Sequence, residues 1–328
     1  MTINKSVAVA FLILTGLVSL HAQPAAVQQL QNSQQALQQQ VPLADLRAGT
    51  NAPELYPGEN LDVGPQRILR LNPRPTYFEA LFDGEVFYTD NANFDTSANA
   101  IGSAVFVNTV LAAFAPSEYK LGPGKFAPAV GFSSQWYNYD SSRMSSLDFD
   151  AQTVFINGRY TLDNWQFGLG ANYTRLLNQP DYNQTYREFL PNFSVQRVFP
   201  IGDNMLFAIA DQVDYHFTDV PPTGGTRSDI NDRFDDIVNF TYSWQMTRHF
   251  ILQPFYRFQY SNYKFDTLAT SDRNDYLHTF GVTLYYFFNK NVSLRTFFNY
   301  SLKQSDDPNT PAYHEYDGGL GASLNFSF

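Results

Sequence analysis

From Tyr77 to Phe328, apolar and polar residues alternate with a period of two. That is the spacing of strands with chemically different faces. In the last run, Tyr316, Gly318, Leu320, Ala322, Leu324, Phe326 and Phe328 share one face, and Asp317, Gly319, Gly321, Ser323, Asn325 and Ser327 share the other. Val292, Leu294, Phe298, Tyr300 and Leu302 oppose Ser293, Arg295, Asn299, Ser301 and Lys303 in the same way. About twelve such runs follow one another: 77–89, 103–115, 126–137, 148–161, 165–175, 186–199, 205–217, 235–245, 249–264, 276–288, 292–303 and 315–328. Three are less regular. The runs 103–115 and 148–161 are apolar on parts of both faces, and 205–217 sets Asp211 among apolar residues. A bulge in each of the last two would restore the alternation.

The connections alternate in length. Short turns lie at Leu162-Asp163-Asn164, 201–204, Met246-Thr247-Arg248 and Asn289-Lys290-Asn291, with the Asn, Asp and Gly that hairpins favour. Long polar loops lie near 90–102, 138–147, 176–185, 218–234, 265–275 and 304–314, and one inner connection, 116–125, is also long. This alternation fits an up-and-down barrel in an outer membrane, with short turns in the periplasm. A soluble barrel would show the same period, so three further features decide. The runs are about 11–16 residues, against five or six in ordinary strands. Aromatics crowd the run ends, with Phe126, Trp165, Phe199, Trp244, Phe250 and Phe288 near short turns and Tyr88, Trp136, Tyr173, Tyr260 and Tyr300 near long loops. Glycine is frequent on the polar faces, as a narrow lumen requires. Charged residues make up 16% of the chain, below the roughly 25% of soluble domains. The fold class is therefore all-β: a transmembrane antiparallel up-and-down β-barrel of about 12 strands over 77–328.

The preceding residues divide in two. Residues 1–22 join a Lys5-bearing start to an apolar core and a small residue, Ala22, as a cleaved secretory signal does. The apolar run is short for a spanning helix, the other reading of such a segment. Residues 23–76 form a Gln-rich and Pro-rich extension, expected in the periplasm. Val27, Leu30, Leu37 and Val41 allow either a short helical seam or a polar tether.

Leu320-x-Ala322-x-Leu324-x-Phe326-x-Phe328 resembles the terminal signature of bacterial outer-membrane β-barrels. That resemblance implies a porin-like superfamily rather than one transporter. It makes Phe326 and Phe328 the assembly signal, read by the barrel-assembly machinery. Val86-Phe87-Tyr88-Thr89-Asp90-Asn91 is also similar to the opening strand of some β-barrel porins.

Little in the chain carries chemistry. With no cysteine there is no disulfide, thiolate metal site or iron–sulfur cluster. No nucleophile elbow or zinc helix occurs, and His216, His249, His278 and His314 lack the His–Ser spacing of barrel-wall lipases. No cofactor is expected, and a wall-embedded hydrolase is the weakest of three functional readings. The loop 229–236 holds Asp229, Asp232, Asp235 and Asp236, either a solvated acidic loop or oxygen ligands for calcium. A net charge of −10 argues against nucleic acid.

The polar faces are more informative. If Phe78, Phe82 and Val86 face lipid, then Glu79, Asp83 and Glu85 face the lumen, as do Arg257 and Arg295 on their strands. Charges at membrane depth must line water or pair. These residues form either an acidic strip facing a basic patch across an aqueous constriction, or a salt-bridge network filling a closed lumen. The leading reading is a non-enzymatic channel for passive diffusion of small hydrophilic solutes. The rival is a sealed structural or surface-interaction barrel. Four of the 31 acids and five of the 21 bases precede Tyr77, leaving 27 and 16 in the barrel; this excess favours a modest cation preference. Partners are outer-membrane lipids and small solutes, and the sequence leaves a homo-oligomer open.

Overall fold

A computed structural model describes Ala26 and residues 77–116, 118–221, 227–265 and 272–328. Among the described residues, thirteen strands form one antiparallel sheet: β1 Phe78–Thr89, β2 Ser103–Phe114, β3 Tyr119–Leu121, β4 Gly124–Tyr139, β5 Phe149–Leu162, β6 Trp165–Asn178, β7 Gln184–Ile201, β8 Met205–Asp219, β9 Arg233–Gln245, β10 Phe250–Tyr263, β11 Arg273–Phe287, β12 Val292–Ser305 and β13 Tyr313–Ser327. The three-residue β3 only folds back on β4, as a small hairpin within the long inner connection. β2 pairs directly with β4 and β1 pairs with β13, so the sheet closes into a barrel of 12 strands. The strand ends fall within three residues of those read from the alternation.

The barrel is inside-out, which excludes a soluble one. On β13, Leu320 is 62% exposed and Leu324 42%, while Ser323 is 3% and Asp317 7% exposed. The same parity holds around the wall, with Phe82, Phe132, Ile156, Leu169, Phe193, Phe280 and Phe298 all pointing outward. An apolar belt of that extent suits hydrocarbon and not water. Trp165, Trp244, Phe250 and Phe288 are exposed at the short-turn end, and Tyr88, Tyr173, Tyr276 and Tyr316 at the other. These are aromatic girdles. At the short-turn girdle the Arg197 guanidinium lies 4.9 Å from the Trp165 ring centre and 4.8 Å from that of Phe199.

The two expected bulges are absent. β5 and β8 keep one register against both neighbours, and the register shifts on β6 instead, between Leu176 and Leu177. Asp211 therefore stays on the outer face, opposite Val195 and Val238. It hydrogen-bonds Asp236 on the same face of β9, which softens the cost of a carboxyl there. β2 and β5 are apolar on both faces for another reason. Val105, Val107, Phe149 and Ala151 point inward and pack beneath folded-in loops. The expected signal at 1–22 and the extension over 23–76 lie outside the described residues except Ala26, which is helical and buried in that same cluster.

Candidate functional site

The polar residues of the sheet meet inside the barrel. Asp83 and Glu85 on β1 and Arg295 on β12 face the lumen, with β13 between them. Arg295 Nη1 lies 2.5 Å from Asp83 Oδ2, its Nη2 donates to Asp83 Oδ1 at 2.8 Å, and it pairs with Glu85. Ser323 of β13 hydrogen-bonds Asp83. Gly321 is what lets the guanidinium cross β13. It sits in register between Glu85 and Arg295, and a Cβ there would come within 2.6 Å of the Arg295 Cζ. The acids and the arginine are thus bonded neighbours on one wall, not an acidic strip facing a basic patch across a constriction. The reason is closure, since joining β1 to β13 sets the first and last strands side by side.

The other expected residues are spread out. Glu79 is exposed, two residues into β1. Arg257 is 4% exposed at mid-strand on β10, where its Nη2 donates to Thr279 at 3.4 Å. Phe326 faces outward, ring to ring with Phe82 and Phe328, and the Phe328 carbonyl accepts from the backbone N–H of Tyr77 and of Phe78. The terminal signature is thus part of the closing seam.

Alternation alone does not reveal the second network, nearer the long loops. His216 of β8 is 1% exposed between two carboxylates, with Nδ1 2.6 Å from Glu188 and Nε2 2.9 Å from Asp235. Tyr186 donates to Glu188 at 2.7 Å, and Arg233 and Gln259 both donate to Asp235 at 3.1 Å. Further round, Asp275 accepts from Arg273 at 3.1 Å and from Lys303 at 2.9 Å. The available signal was parity, because these groups share the inward positions of β7 to β12. Of the other histidines, His249 bonds with the Phe287 carbonyl and His314 with Ser97 at strand ends, while His278 meets Tyr256 on the outer face of the wall.

The acidic loop does not act as a unit. Arg227 hydrogen-bonds Asp229 and holds its carboxyl below the usual aspartate range. Asp232 accepts from the backbone and hydroxyl of Thr218. Asp235 belongs to the histidine network, and Asp236 to the outer face. Two of these acids, Asp232 and Asp235, are buried rather than solvated.

Apolar side chains collect at both ends of the lumen. At the long-loop end, inward Phe87, Val105, Tyr137, Leu176, Tyr186 and Tyr313 pack with Ala92, Phe94, Met144, Leu147 and Val220 from the loops. At the short-turn end, Val198, Leu206, Ala208, Ile251, Tyr285 and Phe287 form a smaller cluster on β7 to β11.

No family model and no curated protein matches the sequence. Among solved structures, the barrel is similar to the COG4313 outer membrane channel from Pseudomonas putida F1, with a TM-score of 0.52 and 10% identity over 82% of this chain and 100% of that one. The NanC porin (TM-score 0.42, 10% identity, 74% and 98% covered) and the KdgM porin in complex with disordered oligogalacturonate (0.39, 11%, 75% and 99%) are more distant. At such identities the likeness is one of fold, that of a closed antiparallel β-barrel.

Proposed function

We propose that the protein is a porin-like channel of the outer membrane of a Gram-negative-type bacterium, passing small hydrophilic solutes without enzymatic work. The observation that carries this is the division of the wall: apolar side chains outward, ionised and amide side chains inward along its length. Burying so many charges in the lumen is costly unless they pair or meet water. The acidic excess of the barrel supports a modest cation preference. Residues 1–22 act as the export signal and 23–76 as a periplasmic extension. The barrel-assembly machinery reads the strand ending in Phe326 and Phe328. Deletion of Phe328 removes the acceptor for two seam hydrogen bonds and should lower the amount of folded, heat-modifiable protein. Normal levels would count against this role.

One observation favours the second reading, a sealed barrel. Loop residues Ala92, Phe94, Met144 and Leu147 pack onto inward aromatics at the long-loop end. Planar-bilayer recording on the refolded protein separates the two. Stepwise conductance in KCl supports the channel, and silence from protein shown to be folded supports the sealed barrel.

A further inference from the structure

One group of luminal oxygens is left without donors. Glu315 and Asp317 point inward from the start of β13 and are 1% and 7% exposed. Thr89 of β1 donates to Glu315 Oε1 at 2.9 Å, while Glu315 Oε2 and Asp317 Oδ1 are buried and accept nothing. The two carboxyl groups lie within hydrogen-bonding reach of one another. Arg257 lies within electrostatic reach of Glu315. One side chain from another strand borders the pair. Tyr139 of β4, 6% exposed, has a buried hydroxyl without a partner, within electrostatic reach of both acids.

This set has acceptors to spare and too few donors. Buried groups in that condition are complete only when something supplies hydrogen atoms. A cation between the carboxylates also relieves their mutual repulsion. A calcium ion takes six to eight oxygens, and among the described residues no three His, Cys, Asp or Glu side chains gather for a metal. An ammonium group carries three N–H donors and one positive charge, matching two carboxyl groups and the Tyr139 hydroxyl oxygen. The surroundings suit an apolar body beside it. The Phe87 and Phe297 rings stand 6.1 Å apart, and those of Phe94 and Tyr313 5.4 Å. Aromatic faces add attraction for a cation.

We propose that Glu315 and Asp317, with Tyr139, form a binding site for the ammonium group of a primary amine with an apolar body. As a station on a solute path the site rests on the channel reading; as a binding site it does not. The test uses the detergent-folded full chain, with benzylammonium as probe and benzyl alcohol as its neutral counterpart, by isothermal titration calorimetry. Benzylammonium should bind the wild type and benzyl alcohol should not. Glu315→Gln with Asp317→Asn should weaken binding by about tenfold or more, since each loses a charge-assisted hydrogen bond. Tyr139→Phe, which keeps both charges, should weaken it a few-fold, and Glu315→Gln alone serves if the double variant does not fold. Equal binding of the two probes by the wild type, or unchanged binding by the folded carboxylate variants, overturns the proposal. Benzylammonium binding by a barrel that never conducts would uphold the site and refute the channel.

Discussion

The seam wall carries two acidic pairs, and they differ in one respect. Asp83 and Glu85, toward the short-turn end, are bound by Arg295 through the gap that Gly321 leaves. Asp317 and Glu315, nearer the long loops, have a threonine hydroxyl, each other and the field of Arg257. Both pairs are on inward positions of adjoining strands, and both are buried. The lower pair is completed within the protein, as structural charges must be. The upper pair keeps two buried oxygens open, and in our proposal an entering ammonium group fills them. A sequence reading that counts luminal carboxylates weights the two alike, whereas the structure separates a pair braced by an arginine from a pair with open acceptor oxygens.

The largest effect should come from breaking the brace. Arg295→Met strands two buried carboxylates, and loss of one partner from a buried pair costs about 3–5 kcal/mol. Urea unfolding of the barrel in detergent, followed by heat modifiability, should show a clear loss. Neutralising Asp83 and Glu85 to Asn and Gln in the same protein should recover most of it. A lone Arg295→Met variant as stable as wild type would mean that the pairing is dispensable. Gly321→Val is the next step down. Its side chain competes with the guanidinium for the same space, and overpacking of this kind costs about 1–3 kcal/mol. If stability is unchanged, the arginine does not cross β13 as described.

Selectivity sharpens the comparison with smaller effects. In a salt gradient across a planar bilayer, Glu315→Gln with Asp317→Asn should move the reversal potential toward anion preference. The neutral triple variant at Asp83, Glu85 and Arg295 should move it less, since Arg295 already offsets one of the two negative charges. Equal shifts would erase the distinction between the pairs. Glu79→Gln should have the smallest effect, because Glu79 is exposed at the short-turn end. That effect should vanish at 1 M salt, where the Debye length is about 3 Å.

Much of the fold was legible along the chain. Strand limits, the lipid-facing parity and both girdles follow from period two, which each strand carries locally. The site was legible only in part. Asp83, Glu85, Arg257 and Arg295 could be placed on inward positions by parity, but parity does not say which inward residues touch. Two irregular runs were legible only as exceptions. The apolar inner face of β5 reflects loops packed on it, and the acid at Asp211 reflects Asp236 one strand away. Neither neighbour is adjacent in the chain, so a local bulge was the wrong repair.

The sequence by itself determined that this chain makes about twelve long two-faced strands and which face of each meets lipid. Alternation and strand length are properties of consecutive residues, and a register slip of one would put every apolar side chain in the lumen. Only the tertiary structure decided the partners. Arg295 meets Glu85 across a separation of 210 residues, and Thr89 meets Glu315 across 226. Both contacts exist because β1 closes on β13 in one register, with Glu85, Gly321 and Arg295 in a row. That register is fixed by closing the whole ring of strands, so no single segment of the sequence contains it.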